Sequence, residues 1–144
     1  MHRFATEYFP RAVAVNDLGW VSYRNDNYVL DLWGLGSEEA REAMRSDSLT
    51  SEFVREVAVR HGVTYAMIYK DVFRGSIPGE WCEIAELRTS KVTAFEGEVA
   101  FYLLRPEEET AMRRALASFE ESLPEGSSLG TFDCDGDDGG RQTS

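Results

Sequence analysis

Histidine and cysteine are scarce: the chain of 144 residues holds two of each, His2 and His61, Cys82 and Cys134. A zinc site needs three or four nitrogen or sulfur ligands at suitable spacing, and this inventory supplies no evident one. A Ser-His-Asp arrangement would have to use His61, because His2 sits at a terminus expected to fray. His61 ends an apolar helical stripe just before Gly62 and reads as structural, a cation at a helix C-terminus. Lysine occurs only as Lys70 and Lys91, and no Lys/Arg stripe offsets the net charge of −11. The closest approach to a basic cluster, Arg113-Arg114, lies in a Glu-rich helix. Such a balance repels phosphate backbones and anionic lipid surfaces, which argues against nucleic-acid binding. Long apolar runs are missing too. The longest, Val99 to Leu104, is six residues, against the roughly 20 that span a bilayer. The first residues show no apolar stretch of the kind a secretion signal carries.

What is present fits one folded domain. Hydrophobic residues make up 42% and charged residues 28%, enough to bury a core at this length. From residue 127 on, Gly, Ser and Asp dominate, so the expected division is an α/β domain over 1–126 and an acidic flexible tail over 127–144. With Cys134 in that tail, two free thiols are expected.

The pattern along the chain predicts the elements. Residues 11–16 and 28–32 read as short strands, the second apolar enough for burial on both faces, and a parallel pair is expected. Ser37 before Glu38 and Glu39 caps a short helix, and a second helix from about Ser51 stops at Gly62. On that helix Glu56 and Arg60 are spaced for an i,i+4 pair. Strands follow at 63–69 and 81–87, separated by a Gly/Pro-containing loop over 71–80. Two further runs, 91–95 and 98–104, flank a turn at Glu96-Gly97, and Pro106 opens the clearest helix, ending near Pro124. The order predicts a single three-layer α/β domain, with a mixed sheet of about five or six strands and an antiparallel hairpin at one edge.

No catalytic residue and no metal ligand stands out, and no cofactor is implied. Candidate ligand-binding residues are Asn16, Asp17 and Asp31, expected at the C-terminal ends of neighbouring strands, where open α/β sheets bind ligands. The plainer reading has them capping the turns that follow. Trp81, after the Gly/Pro loop, is a fourth candidate; the other aromatics Trp20, Tyr23, Tyr28 and Trp33 are expected to be core. The stretch Asp31-Leu-Trp-Gly-Leu-Gly36 invites comparison with a methyltransferase's first motif, but Trp33 occupies the place where a glycine would admit the cofactor. Alternating carboxylates from Asp133 resemble a calcium loop. Counting from Asp133, however, the positions requiring Gly and Glu are Asp138 and Ser144, so a solvated acidic tail is expected instead.

Asn16-Asp17-Leu-Gly19, then Tyr23, then Tyr28 through Asp31-Leu-Trp-Gly34-Leu35, resembles the soluble C-terminal domain of polytopic bacterial GT-C-type glycosyltransferases and related membrane proteins. The strand after Trp81 and the Phe101-Tyr102 strand are similar as well. The resemblance implies an extracytoplasmic accessory domain that packs on a membrane-embedded part or helps position a carbohydrate acceptor, with no catalytic residue of its own. An exposed apolar patch involving Phe4, Tyr8 and Phe9 is then expected where that partner docks. The alternative is a small stand-alone cytoplasmic enzyme that binds S-adenosylmethionine or a nucleotide around Asp17 and Asp31.

Overall fold

Val13, Ala14 and Val15 offer no polar side chain to solvent, so the strand they form (β1, Val13–Val15) must be covered on both faces. The computed structural model, which describes residues 1–73, 75–89 and 97–134, shows how this is done. The remaining strands are β2 (Val29–Asp31), β3 (Tyr65–Ile68), β4 (Cys82–Arg88), β5 (Glu98–Leu103) and β6 (Ser128–Thr131). The six make one mixed sheet in the order β2-β1-β3-β5-β4-β6. β1 pairs in parallel with β2 and β3, whereas β5 runs antiparallel to β3 and β4, and β6 antiparallel to β4. The antiparallel β4–β5 pair lies toward one side of the sheet, with β6 outside it.

Helices cover both faces, giving the expected three layers. On one face lie α1 (Glu38–Arg45), α2 (Ser51–Arg60) and the short α3 (Lys70–Phe73). Ser37 accepts a hydrogen bond from the Ala40 N–H and Thr50 from the Phe53 N–H, so each of the first two helices starts on a side-chain cap. Leu30, Leu32, Val54, Val57 and Ile68 meet in this layer. On the other face α4 (Glu109–Glu120) presents Met112, Ala115, Leu116 and Phe119 to Val13, Val15, Met67 and Phe101.

Several expectations need correction. The N-terminus does not fray: Phe4–Tyr8 forms a wide π-type turn, and Phe4 packs edge-on against Phe101 and Phe119. Phe4 and Phe9 are therefore core and not a docking patch, because their rings fill the space between α4 and the sheet. The expected loop over 71–80 begins inside α3, whose Phe73 is buried.

Residues 127–134, expected as tail, supply β6. Its pairing steps down β4, from Ser128 opposite Arg88 to Thr131 opposite Ala85, which carries Cys134 to the start of β4. There it forms a disulfide with Cys82, the Cα atoms 5.4 Å apart, so the expected free thiols are paired. The expected strand at 91–95, Glu96 of the expected turn, and residues 135–144 of the acidic run lie outside the described residues.

Candidate functional site

The parallel strands β1 and β3 end side by side, and the chain leaves β1 toward β2 on one side and reaches β3 on the other. This is the switch in strand order where ligands of open α/β sheets sit. Asn16, Asp17 and Asp31 are all here, as the sequence places them.

Asn16 is buried and bridges β1 to β3. Its Nδ2 donates to the Tyr69 carbonyl at 3.3 Å, and its Oδ1 accepts from the Tyr69 N–H at 3.1 Å. Both polar functions of the amide thus extend the ladder past the last strand residue. Asp31 is 2% exposed and accepts from the N–H groups of Trp33 at 2.9 Å and Gly36 at 2.6 Å. One carboxylate oxygen goes to each end of the loop that leads into α1. Asp17 is half-buried on the β1–β2 connection, and its charge, after burial, helps hold the Tyr69 hydroxyl above its ordinary pKa of 10.0. Trp81 is buried, and its ring packs 6.3 Å from that of Tyr102.

The glycines of the second motif serve the same loop. Gly34 has φ +84°, and a Cβ there would stand 2.6 Å from the backbone N and Cα of Arg41. A Cβ on Gly36 would meet Leu18 at 2.8 Å. The close approach these glycines permit is taken up by the chain's own atoms, where a methyltransferase motif would keep it for a cofactor.

Of the aromatics expected in the core, Trp20, Tyr23, Tyr28 and Trp33 are at the surface. Trp20 is 68% exposed and stacks on Tyr23 with ring centroids 4.8 Å apart. Tyr28 stacks on His61, whose Nε2 lies 2.9 Å from Glu39. Arg60 pairs with Glu39 at 2.6 Å.

A polar cluster that the sequence does not announce lies on the α2–α3 side of β4. Lys70 reaches Glu83 at 2.6 Å and Glu86 at 3.1 Å, and Arg88 reaches Glu86 at 2.7 Å. Burial pushes the Lys70 ammonium down, but hydrogen bonds and charge from Glu83 and Glu86 outweigh it and leave the group above its ordinary 10.5. Glu86 mirrors this: burial raises it, and Lys70 with Arg88 pull it below its ordinary 4.5. Tyr102, buried and facing Glu83, is held well above the usual tyrosine range. Glu83 and Glu86 share a face because the register shifts between Glu83 and Ala85. A spacing of three does not fit a regular strand, and that misfit was the available signal. Among the described residues, no group of three or more His, Cys, Asp or Glu is placed to hold a metal ion. No described helix is long and apolar enough to cross a membrane.

The architecture defines a three-layer mixed α/β domain whose strand-end polar residues hold its own loops and whose last strand is covalently tied to the sheet. The chain belongs to the family described as Domain of unknown function (DUF8728), whose model matches residues 1–102. That stretch ends in β5, so α4, β6 and Cys134 lie beyond it. No curated protein and no solved structure matches the chain.

Proposed function

We propose that this chain is a non-catalytic accessory domain of a membrane glycosyltransferase-like protein, held outside the cytoplasm, where it packs on the membrane-embedded part or positions a carbohydrate acceptor. The observation that carries the reading is the use made of Asn16 and Asp31. Both belong to the segment resembling the soluble domains of GT-C-type enzymes, and both spend their polar atoms on backbone groups of this chain. Residues so committed specify a fold and leave the chemistry to a partner. The Cys82–Cys134 disulfide supports an oxidising compartment, where such bonds persist.

The test is fractionation of the native polypeptide from its own cells with an antibody to this domain, combined with alkylation of any free thiol. Recovery in the membrane pellet with both cysteines protected is the expected result. A polypeptide recovered away from membranes, with both thiols alkylated, overturns the reading.

A further inference from the structure

β4 runs in the same direction as β1 and β3, since both it and β3 are antiparallel to β5. The C-terminal end of β4 therefore lies along the same sheet edge as Asn16. On the α4 side of that edge is a groove of about 370 Å³, within the range of small-molecule sites, roughly 300–1,000 Å³. Its wall includes Trp20, Leu87, Phe119, Leu123 and Pro124, with His2 beside the indole. The ring centroids of His2 and Trp20 are 5.8 Å apart.

Three features mark this groove as built for a ligand. First, Trp20 is braced: Tyr23 stacks on it, and the guanidinium of Arg24 lies 5.2 Å from the Tyr23 centroid. Arg24 has φ 49°, an unfavourable conformation for arginine, so backbone energy is spent at this point of the loop. Tyr23 and Arg24 support the indole without lining the groove. Second, His2 lines the groove beside the indole, and its Nδ1 is buried without a hydrogen-bond partner among the described residues, so the ring's polar capacity is not spent on the chain there. Third, among the described residues no carboxylate lines the groove, while Arg3, Thr89, Ser122 and Ser127 do.

We infer that this groove binds a straight-chain carboxylate, its apolar chain laid on Trp20 and the Leu87–Phe119–Leu123 wall and its head group at His2. The apolar wall suits a hydrocarbon chain, and the lack of a carboxylate among the described lining residues admits an anion. The cationic rim is slight, because Arg3 is already bonded to Glu7 and Tyr8. It suits a single negative charge better than a phosphate dianion.

Titration calorimetry of the whole chain with decanoate tests this. One-site saturable binding is expected, weakened about tenfold or more by Trp20→Ala. Trp20 is exposed, so that variant keeps the fold, which circular dichroism verifies. Trp33→Ala, at an exposed tryptophan outside the groove, should bind as the parent does. Decanol should bind more weakly than decanoate. Absence of saturable heat, or equal binding by the parent and Trp20→Ala, overturns the inference. So does binding that Trp33→Ala weakens as much as Trp20→Ala does.

Discussion

The side-chain amide of Asn16 completes the β1–β3 ladder, donating to the Tyr69 carbonyl and accepting from the Tyr69 N–H. A side chain thereby closes two strands at the point where the chain diverges from them. Asn16→Ala leaves both backbone groups of Tyr69 without this partner in a buried place, and a loss of about 2 kcal/mol or more is expected. Asn16→Asp keeps the acceptor and loses the donor, so it should fall between. Urea titration measures both, with the midpoint moving at constant slope. Equal stability of Asn16→Ala and the parent would show that the bridge contributes nothing.

The loop between β2 and α1 makes a graded prediction. Gly34→Ala combines a positive φ with a clash against the Arg41 backbone at 2.6 Å, so a loss of about 3 kcal/mol is expected. Gly62→Ala has the positive φ alone, its nearest neighbour being the Arg105 side chain at 3.5 Å, so about 1 kcal/mol is expected. Thermal unfolding of the two variants should rank them in that order. The reverse order would mean that Arg41 yields freely.

Reduction of Cys82–Cys134 should be felt first in β6. The bond spans 52 residues in sequence, and in the chain-entropy account its loss costs up to about 4 kcal/mol. Only Leu129 of β6 is buried, and among the described residues β6 pairs with β4 alone. Hydrogen exchange after reduction should therefore rise at Leu129 and Gly130 before it rises in β1 or β3. Uniform loss of protection across the sheet would instead make the disulfide a support of the whole core.

The Lys70–Glu83–Glu86–Arg88 cluster gives the stability a pH dependence at both ends. Glu86 sits below its ordinary 4.5 in the folded state, so its contribution is present above that pH and is lost as pH falls through the lower folded value. Lys70 sits above 10.5, so its contribution holds below that pH and is lost as pH rises through the higher folded value. Glu86→Gln should flatten the acid limb below pH 4.5, and Lys70→Met the alkaline limb above pH 10.5. Urea midpoints measured across pH provide the comparison. An acid limb unchanged in Glu86→Gln would place it on other carboxylates.

Much of the fold was legible because local chemistry wrote it. Ser37 with Glu38 and Glu39, the apolar spacing that ends at Gly62, and Pro106 before three glutamates each announce a helix by capping or backbone restriction. Asn16, Asp17 and Asp31 were legible as strand-end residues for the same reason. Their hydrogen-bond partners were not, since Tyr69 lies 53 residues from Asn16. The segment at 128–131 has one large apolar residue and two hydroxyl residues around a glycine, which by itself favours no strand. It becomes one by borrowing the open hydrogen bonds of β4.

Local pattern by itself thus determined α1, α2, α4 and the parallel half of the sheet, since these rest on residue type and near-neighbour spacing. Tertiary structure alone decided which aromatics are core, because Phe4 meets Phe101 and Phe119 across the sheet while Trp20, 68% exposed, stacks on its loop neighbour Tyr23 with His2 beside it. It alone decided that Cys82 and Cys134 pair, because the distance between them is set by the register of β6 on β4. Burial and pairing are properties of what the chain brings back from far away, and no local window contains them.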